Sequence, residues 1–410
     1  MKNILFCVCS LGLGHATRTL PIIKHYLSDN NIFIVSTGQA MIYLKEELKG
    51  YENVKFYEYK DYPALERGHG IRFYIYLLKD IAHAQKRILS EHKFVERFVE
   101  ENKIDFIIAD GKFGCYSTKV PSFLINHQVK LGIPSTFSIF QKVVDRFNYE
   151  CFRNFDVLLI PDFKDKNVNL AGGLSHSWIL KKLDHQFIGL LSSYTKKTVK
   201  QDIDYYFIVS GYLHETKQDF VSSLIEESKK LPGKKVFSLG DTKNCYHKID
   251  KENNIEIYSC VSGELRNDLM NRAKVVVSRS GYTTVMDVVE LGKKAVFAPT
   301  PNQTEQEYLA DYLDKKRYFP KFNPKNIKGL DKLLIKAKNA RDFENQQKTA
   351  DTINKIDLIV KQTIKRKKAI MLVRFLDLIK RNILIGLDND KNNISVEPRE
   401  QKLIEQRVYH

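Results

Sequence analysis

Twice in this chain an apolar, β-branched run ends in small residues and glycine and passes directly into a helical pattern. The first is ILFCVCSLGLGHATR (4–18) and the second KVVVSRSGYTTVMD (274–287). A strand that delivers glycine to the start of a helix is the unit of a parallel, helix-covered sheet. One such unit in each half of the chain restricts it to two α/β sheets.

The surrounding pattern agrees. Over the first 165 residues NILFCVCS, NIFIVST, KFYEY, DFIIAD, GIPSTFSI and DVLLIPD read as strands. HATRTLPIIKHYLSD and KDIAHAQKRILSEHKFVERFVEENK carry the i, i+3, i+4 apolar spacing of helices. The stretch from 163 to 194 has no sustained period and reads as a connector between domains. Alternation then resumes: YYFIVSG, KVFSL, IEIYSC, KVVVS and AVFAP are strands, separated by QDFVSSLIEESKK, LRNDLMNRA, TTVMDVVELG and NQTEQEYLADYLDKK as helices. The expected architecture is two Rossmann-like doubly wound α/β domains facing a cleft. They cover 1–190, with the connector from about 163, and 191–350; a basic amphipathic helix and a polar tail cover 351–410.

A chain of 410 residues is long for a single core. No run reaches the roughly 18 consecutive apolar residues of a membrane span. The opening MKNILFCVCSLGLGHA has the outline of a signal peptide, but cleavage there would remove a strand with its glycine turn, so the segment is read as part of the fold. The net charge of +17 is partly local, because 361–381 holds eight Lys or Arg against the single Asp377. Aromatic residues do not interleave with these charges, which argues against a nucleic-acid partner. Cys7, Cys9, Cys115, Cys151, Cys245 and Cys260 form no metal-ligand spacing, and a reduced cytoplasmic protein is expected.

At the first junction Gly12 and Gly14 bring backbone close to a ligand and set His15 at a helix N-terminus, where a neutral imidazole suits a general base. A dinucleotide fingerprint would have glycine at 17, where Thr17 stands, and an acidic end to the second strand, which ends in Ser36 and Thr37. An oxidoreductase is therefore disfavoured. Asp110, at the end of FIIAD, is placed to orient His15. His127 and Gln128, after FLIN, are candidates for the acceptor side of the cleft.

At the second junction Arg279, Ser280 and Gly281 lead into a helix whose free N–H groups suit a phosphate. Thr283 and Thr284 could add hydroxyl donors. Asp287, two turns on and near the rim, could accept hydrogen bonds from a ribose diol. Ser210 and Gly211 end the first strand of the same half and could cap a diphosphate. Glu305 and Gln306, at a third strand-to-helix junction, have the polar groups to grip sugar hydroxyls.

The segment SRSGYTTVMDVVELGKKAVFAPTPNQTEQEYLADYL (278–313) resembles the nucleotide-sugar-binding segment of inverting GT-B glycosyltransferases, family 28 in particular. The order of motifs from GLGHATR to YLADYL is similar over roughly the first 320 residues. The resemblance implies that His15 is the base toward the acceptor hydroxyl, that Ser280 and Gly281 start the diphosphate-binding helix, and that Glu305 and Gln306 contact the donor sugar. It implies a ribose contact for Asp287, where the family usually has Glu, and a base-ring contact for the backbone of Val261. Leu309 stands where the family commonly has Asn, and the N-terminal loop lacks the longer glycine run of the peptidoglycan enzyme.

The function expected is transfer of a hexosyl or N-acetylhexosaminyl group from a nucleotide-diphosphate sugar, UDP-sugar first, to an acceptor hydroxyl, with inversion and without metal or other cofactor. The acceptor is a glycan or a lipid-linked molecule. Asp388-Asn389-Asp390 lies in the polar tail, and no DxD closes a strand. A nucleotide-sugar 2-epimerase and a non-catalytic sugar-nucleotide or glycan-binding protein are the rival expectations. The helix 361–387 has two readings: it meets an anionic membrane surface, giving a cytoplasmic protein peripheral to the membrane, or it packs on the N-terminal domain.

Overall fold

The computed structural model describes residues 1–62, 71–131, 138–209, 214–241, 245–261, 263–343 and 347–393. Met1–Leu358 form one compact unit and Ile359–His410 a second. Both sheets lie in the first unit.

The apolar runs of the N-terminal half become β1 (Asn3–Val8), β2 (Asn31–Ser36), β3 (Val54–Glu58), β4 (Phe106–Asp110), β5 (Ser122–Ile125), β6 (Val157–Ile160) and β7 (His185–Phe187). All pair in parallel, in the order β3-β2-β1-β4-β5-β6-β7. The central strands are buried residue after residue, as expected for strands covered on both faces. Their helices are α1 (Leu13–Tyr26), α2 (Gly38–Glu47), α3 (Ile71–Glu101) and α4 (Ser138–Phe152). Strand order reverses between β1 and β4, which makes the crevice at their carboxyl ends the natural ligand position. Register pairs Val8 with Asp110, so α1 and Asp110 start from the same edge.

The C-terminal half repeats the plan with β8 (Ile203–Ile208), β9 (Lys235–Ser238), β10 (His247–Asp250), β11 (Ile255–Tyr258), β12 (Ala273–Ser278) and β13 (Lys294–Phe297). Their order is β10-β11-β9-β8-β12-β13, parallel except for the β10–β11 hairpin. Helices α5 (His214–Ser228), α6 (Gly263–Arg272), α7 (Tyr282–Leu291), α8 (Thr304–Lys315) and α9 (Leu330–Lys338) cover it. Its switch point lies between β8 and β12. Gly292, left-handed at φ 64, ends α7 and returns the chain to β13.

Three expectations change. GIPSTFSI is not a strand at its end: Ser138 and Ile139 open α4, and 132–137 lie outside the described residues. The irregular stretch from 163 is more than a connector, since His185–Phe187 supplies the seventh strand. Three residues are too few to show a period of two. Cys245 and Cys260 are joined in a disulfide, with 5.3 Å between Cα atoms, whereas Cys7, Cys9, Cys115 and Cys151 are free and buried. The fully reduced chain expected from the sequence is thus corrected at this pair.

The last helix, α10 (Thr349–Asn393), begins in the first unit and includes the whole basic segment. In the second unit Ile370, Met371, Leu372 and Val373 are exposed beside Lys365 and Lys368. Among the described residues no helix is long and apolar enough to cross a membrane.

Candidate active site

Gly12, at φ 95, turns the chain from β1 into α1, a conformation that other residues adopt with strain. His15, Arg18 and Thr19 then fall on one helix face, at i, i+3 and i+4. All three reach Asp110. His15 Nδ1 lies 2.7 Å from Oδ1, Arg18 Nε donates to Oδ2 at 2.7 Å, and Thr19 Oγ1 donates to Oδ2 at 2.8 Å. Arg18 Nη2 also donates to Oδ1. Asp110 is 0 % exposed and Arg18 1 %, whereas the His15 side chain keeps 23 % of its surface. Burial alone would raise the Asp110 pKa; Arg18 and His15 outweigh it and hold the carboxyl well below the usual range. Gly111, at φ 68, lies against the imidazole: a Cβ there would come within 2.8 Å of His15 Cε1.

Arg18 Nη1 donates to His127 Nδ1 at 3.0 Å, and His127 Nε2 lies 2.9 Å from Glu305 Oε1. The His127 ring stacks on Tyr282 at 4.2 Å and 4°. Tyr282 opens α7 and donates its hydroxyl to Pro161 O at 2.7 Å. The network therefore crosses from the N-terminal to the C-terminal half. Burial lowers the His127 pKa, with Glu305 opposing and Arg18 assisting. Burial pushes Glu305 up, but His127, then Arg18 and His15, bring it below its usual value.

At the second junction the side chains are more committed than expected. Ser280 Oγ donates to Gln306 O at 2.7 Å, so its hydroxyl hydrogen is already engaged within the protein. Thr283 Oγ1 donates to Gly14 O at 3.2 Å and joins the two junctions, which corrects its reading as a free hydroxyl donor. Gly14 is a contact point, since a Cβ there would meet Thr283 Oγ1 at 2.8 Å. Arg279 lies over the Phe220 ring at 3.9 Å and donates to Ala298 O and Pro299 O. With no carboxylate in these contacts, burial lowers its pKa to about 10. Gln306 Oε1 accepts the Thr300 N–H at 2.9 Å, which leaves the amide nitrogen as the donating end.

Asp287 departs most from its sequence reading. It is 7 % exposed rather than at a rim, and Ser192 Oγ donates to its Oδ1 at 2.5 Å. Burial raises its pKa to about 7, against the Ser192 hydrogen bond and nearby Arg266. Ser192 lies where the chain first crosses between the halves. Thr349, where the chain starts its last helix, accepts the Ser192 N–H and donates its hydroxyl to Glu290 of α7. Helix α7 thus holds both Ser192 and Thr349. Val261 follows Cys260 on the carboxyl edge of the second sheet, and the Gln128 N–H is held by Asn126. Ser210 and Gly211 lie outside the described residues.

Residues that had not been singled out are Arg18, Thr19, Tyr282 and Ser192. The signal for Arg18 and Thr19 was present in HATRT: a charge three residues from His15, on the face of a helix that otherwise reads as buried. Ser192 left no signal, because its partner is distant in sequence.

The model of the glycosyltransferase family 28 C-terminal domain matches residues 241–363. No curated protein matches the chain. Among solved structures the chain is similar to the glycotransferase of kitacinnamycin, at 14 % identity and TM-score 0.55, over 92 % of this chain and 98 % of that one. It is similar to the spinosyn rhamnosyltransferase SpnG complexed with thymidine diphosphate, at 13 % identity and TM-score 0.55, over 92 % and 100 %. It is also similar to Acinetobacter baumannii MurG, at 15 % identity and TM-score 0.50, over 88 % and 100 %. The likeness to these structures gives the chain a GT-B fold, and residues 241–363 of it match the family 28 C-terminal domain.

Proposed function

We propose that the protein transfers a hexosyl or N-acetylhexosaminyl group from a nucleotide-diphosphate sugar to an acceptor hydroxyl, with inversion and without a metal ion. The observation that carries this reading is the His15–Asp110 pair at 2.7 Å, placed where the first helix junction touches the second. In the proposed reaction Asp110 holds the Nδ1–H of His15, and Nε2 removes the acceptor proton. The acceptor oxygen forms its bond to the anomeric carbon from the face opposite the nucleotide, while the bond from that carbon to the diphosphate oxygen breaks. The departing charge is received by backbone N–H groups at the start of α7 and by Arg279.

Glu305 and Gln306 would hold the sugar, and Asp287 the ribose once Ser192 gives way. UDP heads the panel on the resemblance carried by residues 278–313, and the SpnG likeness adds dTDP. We place the protein at the cytoplasmic face of the membrane. Its basic helix with exposed Ile370–Val373 would meet anionic lipid, and the acceptor would be a glycan or a lipid-linked molecule.

The test is calorimetric titration with UDP, GDP, dTDP and CDP in the presence of EDTA, followed by acceptor screening with the matching sugar donors. Saturable binding and a product of inverted anomeric configuration are expected. A strict Mn²⁺ requirement or a retained configuration would overturn the mechanism. Conversion of the donor at sugar C2 without an acceptor would identify an epimerase.

A further inference from the structure

Arg18 stands outside every role assigned so far, yet it is among the largest fully buried side chains of the molecule. A guanidinium has five N–H donors, no acceptor, and no accessible neutral form. Nε and Nη2 form a fork on Asp110. A purely structural ion pair would stop there. Instead Nη1 points at an imidazole nitrogen, His127 Nδ1, at 3.0 Å.

That contact has a definite chemical consequence. Because Arg18 can only donate, Nδ1 of His127 must present its lone pair, so the ring proton sits on Nε2 and is donated to Glu305 at 2.9 Å. Stacking on Tyr282 fixes the plane of the ring. On the other side, Asp110 Oδ1 accepts from His15 Nδ1 at 2.7 Å, which leaves His15 Nε2 as the basic nitrogen. Arg18 Nη2 also lies 3.1 Å from His15 Nδ1, but a carboxylate oxygen can only accept, so the 2.7 Å approach of Nδ1 to Asp110 Oδ1 places the His15 proton on Nδ1. The two imidazoles are thus held in opposite tautomers by one cation and its carboxylate.

We propose that Arg18 is a positioning residue that sets both ends of the site at once: the Asp110 carboxylate that orients His15, and the His127 tautomer that orients Glu305. The roles of His15 and Glu305 rest on the glycosyl-transfer reading; the tautomers do not. Arg18 touches no reacting atom, and its effect reaches the reaction through the alignment of base and sugar-holding carboxylate across the two halves.

The experiment is long-range ¹H–¹⁵N spectroscopy of the full chain labelled at histidine nitrogen, with signals assigned through His127→Asn and His15→Asn. Near neutral pH the wild-type protein is expected to show His127 as the neutral Nε2–H tautomer and His15 as Nδ1–H. A His127 that carries its proton on Nδ1, or on both nitrogens, overturns the proposal whatever any variant does. Arg18→Lys keeps the charge and loses the fork. It is expected to convert His127 to a mixture of tautomers.

With whichever of UDP-, GDP-, dTDP- or CDP-glucose is consumed, Arg18→Lys should lower kcat about 10- to 100-fold, with donor KM changed by less than about threefold. Unchanged tautomers together with unchanged kcat in Arg18→Lys also overturn it. Correct tautomers in a protein that consumes no donor would count against the glycosyl-transfer reading and leave the positioning network standing.

Discussion

The two strand–glycine–helix junctions look alike in sequence and differ in what they gather. At the β1–α1 junction three polar side chains of one helix face converge on a single buried carboxylate, and the charge is carried by Arg18 and Asp110. At the β12–α7 junction the hydroxyls of Ser280 and Thr283 are already spent on backbone carbonyls. What remains there is the backbone N–H of the helix start and the guanidinium of Arg279, which lies over Phe220, donates to Ala298 O and Pro299 O, and pairs with no carboxylate in its contacts. In the proposed glycosyl transfer, one junction would move a proton and the other would hold an anion. The same backbone grammar is given opposite chemistry by a handful of side chains.

The largest effect should separate these roles. His15→Ala is expected to lower turnover about 10²- to 10⁴-fold, the usual contribution of a positioned general base, while nucleotide affinity stays within about twofold. Rates measured beside calorimetric titration with UDP or dTDP check this. A variant that loses affinity as much as rate would put His15 on the donor side and erase the contrast between the junctions.

Asp287 sharpens the comparison through pH. Its pKa near 7 lies above the ordinary value of 3.8, so the folded state holds a proton that the unfolded chain releases. The stability this confers is complete below the unfolded value and is lost as pH rises through about 7. Asp110 and Glu305, both held low, act in the opposite sense and at more acid pH. Asp287→Asn should therefore remove a decline in stability between about pH 4 and 7 worth up to roughly 4 kcal/mol, read from urea unfolding across that range. The same substitution should weaken nucleotide binding. An unchanged pH slope would show that Ser192 and Arg266 keep the carboxylate ionised.

The disulfide flanks the β10–β11 hairpin, in the sheet that carries the second junction. Bridging Cys245 and Cys260, 15 residues apart, restricts the unfolded chain by an amount on the order of 3 kcal/mol. Reduction should lower the melting temperature. Because Val261 follows Cys260 directly, reduction should also disturb nucleotide binding more than the environment of His15. Melting curves with and without dithiothreitol, followed by UDP titration, test both.

Much of this was legible in the chain because it is local. Glycine before a helix, a carboxylate at a strand end and apolar runs of strand length are short-range signals, and they located both sheets, His15 and Asp110. The contacts that cross between halves were not legible. Thr283 meets Gly14 and His127 meets Glu305 only after two domains have packed, Ser192 meets Asp287 across 95 residues of chain, and no periodicity reports either. The rim position expected for Asp287 failed for this reason: helical spacing gives the face of α7, but what covers that face is set by the chain crossing at Ser192. The three-residue β7 was missed for a simpler cause, its length.

Glycines give the smallest test and the cleanest contrast. At Gly111 the backbone is left-handed and a Cβ would press on His15 at 2.8 Å, so Gly111→Ala should cost about 1–2 kcal/mol and reduce turnover by displacing the imidazole. At Gly281 φ is −65, and a Cβ would meet no described protein atom within 4 Å. Neither backbone nor packing requires glycine there. If the residue is kept small for an approaching phosphate, Gly281→Ala should leave stability unchanged within about 0.5 kcal/mol, as for a substitution that meets nothing, and still weaken UDP binding. Thermal unfolding and titration of both alanine variants would decide it. Loss of binding without loss of stability at 281, set against loss of both stability and rate at 111, is the pattern that two chemically distinct junctions require; full UDP affinity in Gly281→Ala would move the diphosphate away from the start of α7.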